Sequence, residues 1–170
     1  MSLHEARVPI KCARFEKTSR GRDRNLLGMN TFATAQLWVT DQDEARAFYV
    51  DKLGWTVRED LTPPELGGFR WLTVAPAAES DTSVVLMAIP GEPVFTSETA
   101  DQVRDLLSKG AVGAIFLTTD DVQAEYEALK ARGVDLPEPT QQPWGVDTGF
   151  RDPSGNHIRL AQRVEIPATV

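Results

Sequence analysis

Two side chains near the end of the chain have the types and spacing to do chemistry. In RDPSGNHIRLAQ, Arg151 to Gln162, His157 and Arg159 alternate with Ile158 and Leu160. Side chains alternate across a strand, so the imidazole and the guanidinium share one face and the two aliphatic residues the other. An imidazole can move a proton or hold a metal. A guanidinium stays charged, offers a planar fork of donors to a carboxylate, phosphate or carbonyl, stacks on rings and repels a cation. His157 is the one imidazole after residue 30, since His4 falls near the start, and Cys12 is the one cysteine. One copy of the chain therefore assembles neither a Cys/His zinc cluster nor a two-His-one-carboxylate site. No Gly-rich phosphate loop, Ser-His-Asp order or activated cysteine stands out.

The elements that must carry this pair are marked by caps, stops and alternation. TAQLWVT, Thr34 to Thr40, reads as a strand from its β-branched and aromatic content. Asp41 then caps a helix, with Glu44 in capping-box spacing, an apolar stripe of Ala45, Phe48 and Tyr49, and Gly54 as its stop. WTVRED, GFRWLTVAP and TSVVLMAIP follow as strands, with Pro63 and Pro64 marking a loop. A connector helix over 97–110 has Thr99 and Gln102 in capping-box spacing and a stripe of Val103, Leu106 and Leu107 that predicts its buried side. The order then repeats: the strand AVGAIFLTT, a cap at Asp120 or Asp121, a helix with Val122, Tyr126 and Leu129 on one side, and a stop at Gly133. A weak strand VDLPEPT and the strands GVDTGFRD and NHIRLAQ complete the second unit, the last two joined by the turn DPSGN.

A shift of 79 residues superposes Thr40-Asp41 on Thr119-Asp120, Ala45 on Ala124 and Gly54 on Gly133. Two copies of one element order indicate an internal duplication. The expected fold class is α+β: paired β-α-β-β-β modules forming a curved eight-stranded sheet around a cleft, helices outside. Module one spans 33–90 and module two 111–163, within a domain of 31–165 followed by a tail at 166–170. Residues 1–30 hold seven Lys or Arg against three Asp or Glu, a balance of +4, and read as a basic flexible leader. The remaining residues carry eleven basic against twenty-two acidic groups, a balance of −11. An acidic body argues against nucleic acid or an anionic membrane surface as a partner. No apolar run approaches the roughly 20 residues that span a bilayer, and the N-terminus lacks the apolar h-region of a signal peptide, so a cytoplasmic protein is expected.

VTDQDEARAFYVDKLGW followed by DPSGNHIRL resembles the vicinal oxygen chelate superfamily, which includes glyoxalase I, bleomycin-resistance proteins, extradiol dioxygenases and fosfomycin-resistance enzymes. The resemblance covers about residues 33–163. It implies a cleft in which the family's enzymes hold a divalent metal with one side chain from each of four strands. The family's positions fall here on Thr34, Val85, Ala114 (or Gly113 in the 79-residue register) and Arg159. Those residues make no metal site, because three offer no useful ligand and the fourth repels a cation. The expectation is a protein with no metal and no cofactor.

Alternation gives the cleft-facing set as Thr34, Gln36 and Trp38; Val85 and Met87; Ala114, Phe116 and Thr118; and His157, Arg159 and Ala161. Phe69 or Trp71 joins from the third strand, and Trp144 and Phe150 stand at the rim. The candidate ligand-binding residues are Gln36, Trp38, Met87, Phe116, Thr118, Trp144, His157 and Arg159. Five of them have a second reading: Trp38, Met87 and Phe116 as core filling, His157 as a structural or solvated residue, and Arg159 as the partner of an acid such as Asp147. An apolar, aromatic cleft with few polar groups in an acidic body suits a small aromatic or cationic organic molecule. The resemblance to the bleomycin-resistance branch implies that it is bound for sequestration or resistance by a homodimer. The alternative is an enzyme of lyase or dioxygenase type with atypical or absent ligands. Whether a reaction is catalysed stays open at this point.

Overall fold

A computed structural model describes residues 32–164; the leader assigned to 1–30 and the tail assigned to 166–170 lie outside the described residues. The first module runs β1 (Thr34–Val39), α1 (Gln42–Ala47) continuing into a π-helical turn (Phe48–Lys52), β2 (Thr56–Leu61), a 3-10 turn (Pro64–Leu66), β3 (Trp71–Ala75) and β4 (Ser83–Ala88). The connector α2 (Ser97–Ser108) leads to β5 (Ala114–Thr118), α3 (Val122–Ala131), β6 (Thr140–Gln142), β7 (Gly145–Arg151) and β8 (His157–Arg163). No helix of the described residues is long and apolar enough to cross a membrane.

The class is α+β and the paired modules are present, but the eight strands do not form one continuous sheet. They are hydrogen-bonded as two four-stranded sheets, ordered β1-β4-β3-β2 and β5-β8-β7-β6. In each, the module's first strand runs parallel to its last and the other neighbours are antiparallel. What joins the sheets is packing. Leu37, Val39, Leu72, Val74, Val84 and Leu86 of the first sheet share one core with Phe150, Ile158 and Leu160 of the second, together with Phe48, Tyr49, Val122 and Leu129 from the helical segments. Phe48 and Phe150 bring their rings within 6.4 Å across the two modules.

This core sets the register that matters for the site. Ile158 is 0% and Leu160 5% exposed. Slipping β8 by one residue would turn both out and force Arg159 inward. Each lost burial costs about 2 kcal/mol, which fixes His157 and Arg159 on the opposite face.

The duplication is exact in order and off by one residue in length. Asp41 and Asp121, an offset of 80, are the observed N-caps, each accepting backbone N–H groups of the first helical turn. Gly54 and Gly133, an offset of 79, both take φ +75°, as helix stops do. The first helix thus holds one more residue than the second, and its closing π turn accommodates the surplus. The offset of 80 before the helices also aligns Thr34 with Ala114, favouring Ala114 over Gly113 as its counterpart.

Three local expectations change. The cap of α2 is Thr96, whose hydroxyl accepts the Thr99 N–H at 3.2 Å, so the helix starts a turn before Thr99 could cap it. Leu106, placed on the buried stripe of that helix, is 47% exposed; Ala100 and Leu107 are the buried residues. The strand expected at VDLPEPT forms later, at Thr140–Gln142. Pro137 and Pro139 have no N–H for a ladder, and the Pro137 carbonyl instead accepts the Thr148 hydroxyl at 2.7 Å.

The DPSGN turn fastens the modules together. Asp152 Oδ1 accepts the backbone N–H groups of Ser154, Gly155 and Asn156 at 2.9–3.0 Å. Its Oδ2 accepts the Tyr49 hydroxyl at 3.1 Å and Asn156 Nδ2 at 2.8 Å. Asn156 Nδ2 also donates to the Trp38 carbonyl, and Ser154 Oγ accepts the Thr40 N–H. Burial first, then the Asp152 charge and hydrogen bond, push the Tyr49 phenol far above its ordinary range, which keeps it a donor.

Candidate functional site

The face opposite the core on the second sheet carries the residues expected to look away from it. In the ladder, Ala114 stands beside His157 and Phe116 beside Arg159 on β5 and β8, and Gly149 and Arg151 stand beside Arg159 and His157 on the β7 side. These six residues, with the loop from Gly110 to Gly113 after α2, line an open hollow of about 540 Å³. Arg151 reaches the carbonyls of Ser108 and Lys109 at the end of α2, placing a cation where the helix leaves unpaired carbonyls. Phe116 is 75% exposed, a large ring on an uncovered sheet face.

Arg159 is held, not loose. Its Nη2 donates to Asp147 Oδ2 at 2.5 Å, and the same oxygen accepts the Trp144 indole N–H at 2.8 Å. The guanidinium carbon lies 5.9 Å from the Trp144 ring centroid. Asp147 has 3% of its side-chain surface exposed and Arg159 43%. The ion pair expected as one alternative is therefore present, yet it engages one guanidinium nitrogen and leaves 43% of the side chain exposed. Such a group can donate to an acceptor on a ligand while the carboxylate offsets its charge.

The eight candidate residues do not come together within one chain. Phe116, His157 and Arg159 line the hollow, and Trp144 touches it through Arg159. Thr118 is exposed farther along β5, paired with Ala161. Gln36, Trp38 and Met87 belong to the first sheet, where Trp38 and Met87 are ladder partners. Gln36 is exposed, and the half-buried Trp38 meets Phe95 edge-on at 5.7 Å. Phe150, expected at the rim, is 6% exposed and belongs to the core although it borders the hollow. Trp71 is half-buried and donates its indole N–H to Glu59, with Phe69 6.5 Å away. Alternation along β7 was the signal that could have added Gly149 and Arg151. The loop residues Ala111 and Val112 carried no such signal.

The four family metal positions do not fit a metal ion. Thr34 Oγ1 is engaged with Ser83 Oγ at 3.0 Å, Val85 is buried at 3%, Ala114 has no donor atom and Arg159 is cationic. Among the described residues no three His, Cys, Asp or Glu side chains gather as a ligand set.

One polar atom near the hollow is unpartnered: Asn156 Oδ1, fully buried. A Cβ added at Gly113 would lie 2.1 Å from it, so the bare backbone of Gly113 is what admits the amide.

Comparison with known proteins agrees with this architecture. The model of the Glyoxalase/Bleomycin resistance protein/Dioxygenase superfamily matches residues 30–160. YurT, an uncharacterized protein of Bacillus subtilis (strain 168), is 32% identical over 128 residues, 75% of this chain and 94% of its own. The crystal structure of UcmS2 matches with a TM-score of 0.71 at 39% identity, covering 79% of this chain and 98% of that one. TnmS3, described as an antibiotic binding protein from Streptomyces sp. CB03234, matches with a TM-score of 0.60 at 33% identity, covering 81% and 99%. A family match over most of the described residues, two repeated β-α-β-β-β modules and the DPSGN turn that docks them lead to one assignment: the chain belongs to the Glyoxalase/Bleomycin resistance protein/Dioxygenase superfamily.

Proposed function

We propose that this protein binds and sequesters a small organic molecule bearing a planar aromatic ring, without a metal ion, as a cytoplasmic homodimer. The observation that carries the reading is the exposed Phe116 ring beside a guanidinium held by Asp147 and Trp144, on a hollow of about 540 Å³. That volume lies within the range of about 300–1,000 Å³ usual for small-molecule sites. The description of TnmS3 as antibiotic binding supports a sequestering role over a catalytic one.

The lining argues about ligand charge. Arg151, His157 and Arg159 border the hollow against one nearby carboxylate, Asp147. The acidic body would draw a cation from a distance, but salt screens that attraction beyond about 8 Å, whereas direct contact with the two guanidiniums is screened less. The favoured ligand is a neutral ring carrying carbonyl or hydroxyl oxygens.

The hollow is open to solvent. A second copy of the chain, presenting Gln36, Trp38 and Met87 from its first sheet, would supply the missing wall. Twofold symmetry would then make two equivalent sites from all eight candidate residues.

The test uses the purified full chain: metal content by elemental analysis, mass by sedimentation, and titration with neutral acridone and cationic proflavine, read by tryptophan quenching. Saturable acridone binding by a metal-free dimer, weakened in Arg159→Ala, is expected. Stoichiometric transition metal, or no saturable binding of either ring, would refute the proposal.

A further inference from the structure

We infer that Gly149 is the floor on which the ligand's ring lies, so that the hollow selects flat ring systems with an acceptor oxygen at one edge. The inference rests on the binding reading above and adds the residue that determines why a flat occupant is selected.

Glycine inside a strand needs a reason, because it weakens the strand and packs nothing. The fold supplies the reason at other glycines. A Cβ at Gly113 would collide with Asn156 Oδ1, and one at Gly145 would sit 2.1 Å from the Gln162 carbonyl oxygen. At Gly149 it supplies none. A Cβ there would meet the Ile158 carbonyl at 3.6 Å and Arg159 Cγ at 3.8 Å, both ordinary contacts, and its φ is not positive. The strand would accept alanine, and its stability would gain from it.

What the missing side chain leaves is bare backbone inside the hollow. Phe116, Arg159 and Gly149 form a single row across β5, β8 and β7. With strands about 4.8 Å apart, the row places an aromatic ring, a guanidinium and an uncovered peptide side by side over about 10 Å, the length of two to three fused rings. A flat ring can rest on the Gly149 peptide with its edge oxygen taking an N–H that Asp147 leaves free on Arg159. Any side chain at 149 would lift the ring off the sheet and out of line with that donor.

The experiment compares the wild type, Gly149→Ala and Gly149→Leu for thermal midpoint and for acridone affinity by fluorescence. Gly149→Ala is expected to melt at or above the wild-type temperature while binding acridone more weakly. Gly149→Leu is expected to lose about tenfold or more in affinity, as a lost ring contact and a lost hydrogen bond imply. Unchanged acridone affinity in Gly149→Leu overturns the inference and leaves the binding reading intact. A Gly149→Ala protein that melts well below the wild type also overturns it, since the glycine then serves the fold. A wild type that binds proflavine but not acridone removes the flat neutral occupant. A wild type that binds neither overturns the underlying reading as well.

Discussion

The Arg159–Asp147 pair joins partners of unequal exposure, and that inequality predicts an asymmetry. Arg159→Ala leaves a carboxylate that is 3% exposed with the Trp144 indole N–H as its remaining side-chain donor. Stripping one partner from a buried pair costs about 3–5 kcal/mol; water entering from the hollow puts the expectation at the lower end, about 3 kcal/mol. Asp147→Ala instead frees a guanidinium that is 43% exposed and an indole on a residue 40% exposed, both able to rehydrate. That loss should be about 1 kcal/mol. Once Asp147 is gone, removing Arg159 adds about 1 kcal/mol instead of about 3, so the double variant should lose about 2 kcal/mol, a coupling of about 2 kcal/mol in favour of the pair. Urea unfolding followed by far-UV circular dichroism measures all four proteins without interference from Trp144, and an unchanged m-value keeps the comparison valid. Asp147→Ala costing as much as Arg159→Ala, or single losses that add to within about 0.5 kcal/mol, would refute the argument that the buried carboxylate is the demanding partner.

Further outcomes follow from other contacts. Gly113→Ala drives a Cβ into the buried Asn156 amide and should cost at least about 2 kcal/mol or abolish soluble expression, measured by the same unfolding assay. Thr96→Ala should cost about 1 kcal/mol as the loss of the α2 cap, while Thr99→Ala, which keeps that backbone bond, should cost less. Hydrogen bonding to Arg70 holds the Asp60 carboxyl below its ordinary value of 3.8. A group depressed in the folded state stabilises above its unfolded pKa and loses that contribution as pH falls through the folded value. Arg70→Met should therefore flatten the decline in stability below about pH 4, and an acid limb as steep as the wild type's would contradict it.

The parity of each strand was legible because Ile158 and Leu160, or Leu37 and Val39, leave their neighbours one face to occupy. The cap at Asp41 and the stops at Gly54 and Gly133 were legible because their chemistry is local, and the second cap was legible only to Asp120 or Asp121, of which the structure uses Asp121. The grouping of the site was not. Whether the Trp38 face and the Phe116 face meet depends on how the modules dock, and docking is decided by contacts such as Tyr49 with Asp152 that lie over 100 residues apart. The π turn was invisible because a one-residue surplus leaves the stripe of Ala45, Phe48 and Tyr49 intact. Phe95 over Trp38 came from a loop that alternation cannot read.

The DPSGN turn also bears on the order in which the molecule can be made. Its bonds to Thr40, Tyr49 and Trp38 bridge separations of 114, 103 and 118 residues. Contacts so distant along the chain are slow to form, since loop closure must precede any gain from them. A nascent chain lacks the Phe150, Ile158 and Leu160 part of the shared core until the final hairpin leaves the ribosome. Chaperone dependence should consequently peak late in synthesis, and truncation before Asp152, which keeps β1 to β7 but removes the turn and β8, should yield an aggregating fragment.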